Sequence, residues 1–129
     1  MAALLLALAT LSSPLLEAQV EVLEPEVVAP GARGELSLVL LEAPERDLPL
    51  ELRLEAEGIS LLEGRLDWRA VADPLAPLPR LRARFDAPPE PGRYTVEGGV
   101  RYSVCDDRWC RTKTRQVTWI FEVVAPPEG

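Results

Sequence analysis

Residues Val100–Val117, VRYSVCDDRWCRTKTRQV, decide how this chain is read. They hold its only two cysteines, Cys105 and Cys110, separated by Asp106-Asp107-Arg108-Trp109 and flanked by alternating, strand-like runs. That arrangement predicts a β-hairpin with a disulfide near its tip. A bridge closing so short a loop removes little freedom from the unfolded chain, roughly 2 kcal/mol in chain-entropy terms, so it is a modest staple. At a loop, with Arg108, Arg111 and Lys113 nearby in sequence to favour a thiolate, the pair suits thiol–disulfide exchange better than it suits bracing a core. Paired cysteines in secreted domains are mostly structural, so a non-catalytic β-sandwich that binds a protein or cell-surface ligand, with Cys105–Cys110 as a static clip, stands beside the redox reading.

Outward from the cysteines the chain reads as strands. Tyr94, Val96, Val100, Tyr102 and Val104 share one parity of a long strand, Cys105 falls on the other, and Gly98-Gly99 predicts a bulge or bend. Across the hairpin, Val117, Trp119, Phe121 and Val123 form the inward set of a final strand, whose length and aromatic content predict a central place in its sheet. Upstream, Ala87-Pro88-Pro89-Glu90-Pro91-Gly92 is the strongest turn signal, and before it Arg80 to Phe85 alternates cleanly. Its Arg80, Arg82 and Arg84 read as a solvated row countering an acidic surface rather than as a binding patch. Ala72 to Pro79 is too proline-rich for an interior strand and reads as a loop. Further strands are predicted over Gln19 to Glu24, Glu35 to Leu41 and Leu48 to Leu54, with weaker ones over Ile59 to Leu62 and Leu66 to Val71. Seven or eight short antiparallel strands separated by turns indicate an all-β sandwich.

Composition removes several functions. With 129 residues the chain is long enough to bury a core as one domain without help from metals. A net charge of −7 disfavours nucleic acid and anionic membrane surfaces as partners. Histidine is absent, so neither a Ser-His-Asp nor a Cys-His constellation can be assembled, and two cysteines alone do not make an ordinary zinc site. No cofactor is implied. A copper or haem-assembly accessory is a weaker reading, which one methionine and no histidine oppose. At the N-terminus, Ala2 to Leu11 is an apolar block too short to span a bilayer, and Pro14 ends any helix. The block has the length of a signal-peptide core although a positive N-terminal region is missing, and Ala18 suits the last residue before cleavage. Residues 1–18 are therefore expected to direct export, and residues 19–129 to form the single domain.

The run Tyr102-Ser103-Val104-Cys105-Asp106-Asp107-Arg108-Trp109-Cys110, late in a small all-β chain, resembles the N-terminal periplasmic domain of the DsbD family of thiol:disulfide interchange proteins. In that family the domain is immunoglobulin-like, and the cysteine of a Tyr-x-x-Cys motif forms the redox pair with a second cysteine. The resemblance implies a monomeric periplasmic protein-disulfide reductase, of the kind that serves cytochrome c biogenesis. Its Cys105–Cys110 bond would be reduced by a separate membrane-embedded, thioredoxin-like partner and would in turn reduce extracytoplasmic client proteins. Where the family places prolines soon after the second cysteine, Arg111-Thr112-Lys113-Thr114 stand here. The second cysteine faces partners in the family, which makes Cys110 the attacking group and Cys105 the resolving one. The sequence neighbours agree, because Asp106 and Asp107 oppose a thiolate at Cys105 while Arg108 and Arg111 favour one at Cys110. Trp109 is a candidate cover or docking surface, and Tyr102 a candidate hydrogen-bonding neighbour. Trp68, or the loop containing Leu75, is a candidate shield for the disulfide; the plainer readings are core packing for Trp68 and Tyr102, a simple connector for the loop, and packing at the loop tip for Trp109.

Overall fold

Period-two alternation places apolar side chains on one face of each strand, and the chain buries those faces by laying one sheet over another. In the computed structural model, which describes residues 17–25, 27–73 and 75–127, eight strands form two four-stranded sheets. They are β1 (Val20–Leu23), β2 (Arg33–Leu40), β3 (Glu51–Ala56), β4 (Ser60–Leu61), β5 (Arg65–Leu66), β6 (Arg80–Asp86), β7 (Gly92–Cys105) and β8 (Cys110–Val123). One sheet has the order β1-β2-β6-β4 and the other β5-β3-β7-β8, with every strand pairing antiparallel. The all-β sandwich expected from the sequence is what the chain adopts.

Between the sheets lie Leu36, Leu38 and Leu40 of β2 and Leu81, Ala83 and Phe85 of β6, opposite Leu52, Leu54, Val96, Val100, Trp119 and Phe121. Burying each large side chain contributes about 1.5–3 kcal/mol, which lets a leucine-rich sequence form strands despite leucine's mediocre strand propensity. Trp119 joins the layers, its indole N–H donating to the Ser37 carbonyl at 3.0 Å. The arginine row of β6 lies on the outer face, where Arg82 pairs with Glu35, Arg84 with Glu63, and Arg80 donates to the Ser37 hydroxyl. Among the described residues no helix is long and apolar enough to cross a membrane.

Four local expectations need correction. Among the described residues β8 is an edge strand, not a central one, met on its second side only by isolated bridges at Glu17 and Val28: its aromatic side chains are buried by the opposite sheet, which requires no strand there. Gly98-Gly99 makes no bulge, since β7 and β8 pair without interruption from Gly92·Val123 to Cys105·Cys110. Gly98 is there for room: a Cβ on it would lie 3.0 Å from Trp119 and 3.2 Å from the Arg53 carbonyl. The run from Leu66 to Val71 is mostly not strand, because the Asp67 side chain accepts the Arg69 N–H and starts a 3-10 turn over Trp68–Ala70. Finally, β3 begins at Glu51 rather than Leu48, whose N–H and carbonyl are engaged by Glu45 and the Trp68 indole respectively.

Topology gathers one set of ends. The C-terminal ends of β2 and β7 and the N-terminal ends of β3, β6 and β8 lie at the same pole of the sandwich, as the registers Glu51·Arg101, Val39·Arg80 and Cys105·Cys110 require within each sheet and the Gln19 bonds to Leu41, just past β2, and to Tyr102 of β7 require between them. β3 stops pairing at Arg101, so the last four rungs of the β7–β8 hairpin run beyond the sheet, about 13 Å at 3.3 Å per residue.

Candidate redox site

The hairpin turns without a glycine. Two-residue hairpin loops usually need positive φ, yet no non-glycine residue among those described has it. The turn is held instead by Asp106, whose N–H donates to the Trp109 carbonyl at 2.9 Å and whose carboxylate accepts from the Arg108 and Trp109 N–H groups at 2.7 and 3.0 Å. An aspartate that folds back onto the amides two and three residues on is a side-chain substitute for a backbone turn.

Because Asp106 and Trp109 bond across the strands, the next rung, Cys105·Cys110, is one whose main-chain groups point away from each other and whose side chains lie close. There the two cysteines form a disulfide, with Cα atoms 4.0 Å apart and sulfurs at 2.07 Å. Alternation puts the bond on the outer face of the sheet, as the parity of Cys105 predicts. Below it on that face the Ser103 and Thr112 hydroxyls meet at 3.1 Å. Cys110 is exposed, whereas Cys105 is half-buried.

The inner face of the overhang carries different chemistry. The Arg111 guanidinium lies over the Trp109 ring, 4.1 Å from its centroid, in a cation–π stack that leaves Trp109 42 % exposed. Farther in, Tyr102 is fully buried; its hydroxyl donates to Glu42 and accepts the Gln19 N–H at 3.0 Å. Lys113, on the rung opposite Tyr102, brings its ammonium to both Glu42 oxygens, at 2.8 and 3.0 Å. Burial works to raise the Glu42 pKa, but the Lys113 and Tyr102 contacts outweigh it and hold the carboxyl below its ordinary range. Burial, then the Glu42 carboxylate, pushes the Tyr102 phenol well up, so it remains a donor at neutral pH.

No protein-family model and no curated protein matches this chain. The site is therefore judged on its own atoms. Cys105, Cys110, Asp106, Arg108 and Trp109 come together at the tip, and Tyr102 lies three residues below on the other face. Trp68 does not join them by any hydrogen bond: its indole N–H donates to Leu48 at 2.8 Å in the β2–β3 loop, whose Glu45 N–H bonds the Ser103 carbonyl at 2.7 Å. Arg111 and Lys113 lie on the face away from the sulfurs, one stacked on Trp109 and the other paired with Glu42. Glu42 and Gln19 were not identified from sequence. Lys113 is the chain's only lysine among fourteen cationic residues, a signal that could have singled it out. The polar groups here form no cluster fit for a metal ion among the described residues.

Proposed function

We propose that this chain is an exported, immunoglobulin-like thiol–disulfide interchange protein of the DsbD N-terminal-domain kind. It passes reducing equivalents through Cys105–Cys110 from a membrane-embedded or thioredoxin-like reductant to extracytoplasmic clients. The observation that carries this reading is the position of the bond. It closes the end of an overhanging hairpin, outside the packed core and on an exposed rung, where a second protein can reach it. Cys110 is the sulfur open to attack, and Cys105, half-buried beside it, is the resolving group. In the reducing direction the Cys110 thiolate attacks a client disulfide and one client sulfur leaves as a thiolate. Cys105 then attacks Cys110, re-forming the bond and releasing the second client thiol. A leader over residues 1–18 fits the oxidising compartment such chemistry needs. Residues 1–16 of it lie outside those described, while Glu17 and Ala18 pack against β8.

Replacing Cys105 with alanine should leave Cys110 able to trap thioredoxin-like proteins as mixed disulfides. Recovery of no adduct from either single-cysteine variant, together with resistance of the intact bond to thioredoxin, would leave the static clip as the reading. The clip has one observation in its favour, since the outermost rungs have no third strand to fix their register.

A further inference from the structure

The two flanks of the disulfide differ in what they offer. On Cys105·Cys110, Ser103·Thr112 and Arg101·Thr114 the main-chain N–H and C=O groups point outward from the β7–β8 ladder. On the β7 side Arg101 pairs with Glu51 and the Ser103 carbonyl accepts the Glu45 N–H, which places the β2–β3 loop against that flank. Among the described residues the β8 side is an open edge at Cys110–Thr112, and farther along it the N-terminal segment of the full chain indicates what that edge accepts. Ala18 donates to the Thr114 carbonyl at 3.1 Å and Val28 to the Glu122 carbonyl at 3.3 Å, each beside a parallel bridge. Between Thr114 and the tip, the outward groups of Cys110 and Thr112 have no partner among the described residues.

We propose that a client's cysteine reaches Cys110 on an extended polypeptide segment that adds to the β8 edge at Cys110–Thr112 as a further strand; this rests on the redox reading. An added strand lies about 4.8 Å away, and a residue opposite Cys110 places its Cβ about 4.5–5.5 Å from that of Cys110, on the same face as the disulfide. The S–S bond joins the two strands, so a line continued past the Cys110 sulfur leads toward the β8 side, the approach that in-line attack on Cys110 requires. The same line past Cys105 leads to the flank occupied by the β2–β3 loop. The edge offers main-chain groups, which selects a polypeptide over a small thiol. Its outer face carries uncharged Thr112, Thr114, Gln116 and Thr118, which makes it tolerant of sequence.

The test uses a threonine-rich octapeptide with one central cysteine and two versions N-methylated at alternate residues, one for each edge of the peptide. Each is given to the oxidised full chain at equal thiolate concentration. The peptide thiolate attacks the Cys110 sulfur, the Cys105–Cys110 bond breaks, and its electron pair leaves on Cys105. The unmodified peptide and one methylated form should open the bond at similar rates, and the other methylated form roughly tenfold more slowly, as loss of one or two main-chain hydrogen bonds dictates. Equal rates for all three overturn the docking edge but leave exchange standing, and slowing of both methylated forms overturns the edge as well. A bond that neither these peptides nor thioredoxin opens removes the redox reading together with the edge.

Discussion

Asp106 does for the hairpin what a glycine pair does in most two-residue turns, so its removal should loosen the tip. In the reduced protein, where no disulfide masks the effect, Asp106→Ala should lower unfolding free energy by about 1 kcal/mol in urea titrations, as loss of a side-chain cap does. Glu42 gives a pH signature. Its folded pKa lies below the ordinary 4.5, so the stabilisation from its ion pair is complete above that value and is lost as pH falls through the depressed folded one. The Glu42→Gln variant should therefore show a shallower fall in stability below about pH 5 than the parent, measured by denaturant midpoints across pH. The cysteines, their short loop and the outward parity of Cys105 were legible because they depend on neighbours within a few residues. Glu42 was not, because nothing local distinguishes a glutamate whose partners, Tyr102 and Lys113, lie 60 and 71 residues downstream.

At the level of strands, glycines leave room for large side chains on neighbouring strands of the same sheet. A Cβ on Gly98 would meet Trp119, Leu54 and the Arg53 carbonyl at 3.0–3.2 Å, and the carbonyl belongs to a paired strand that has little room to give. Gly98→Ala should cost about 1–3 kcal/mol as overpacking, read as a lower urea midpoint with an unchanged m-value. Gly34→Ala should be worse, since its Cβ would lie 2.3 Å from the Phe85 ring. The longer strands were legible from alternation, most clearly over Arg80 to Phe85. Strand order was not, because the pattern along β8 records burial by the facing sheet and carries no information on its lateral neighbours. The Leu66 to Val71 run shows the limit of apolar runs as strand signals, where one aspartate capping one N–H redirected the backbone.

For the molecule as a whole, the core between the sheets is assembled without the cysteines. A Cys105→Ser, Cys110→Ser double variant should keep the near-ultraviolet circular dichroism of buried Trp119 and lose no more than roughly 2 kcal/mol in urea. The four rungs that extend past β3 have a further consequence. A hairpin whose last rungs extend past the neighbouring strand should open and close its terminal link while the body keeps its shape, because the Tyr102–Glu42–Lys113 tether clamps its root. Under the proposed exchange function the protein would thus show visiting proteins the same bulk whether oxidised or reduced, and amide exchange at Val96 and Trp119 should not distinguish the two. Direction of electron flow would then be set by the potentials of the proteins that dock rather than by any rearrangement of the carrier.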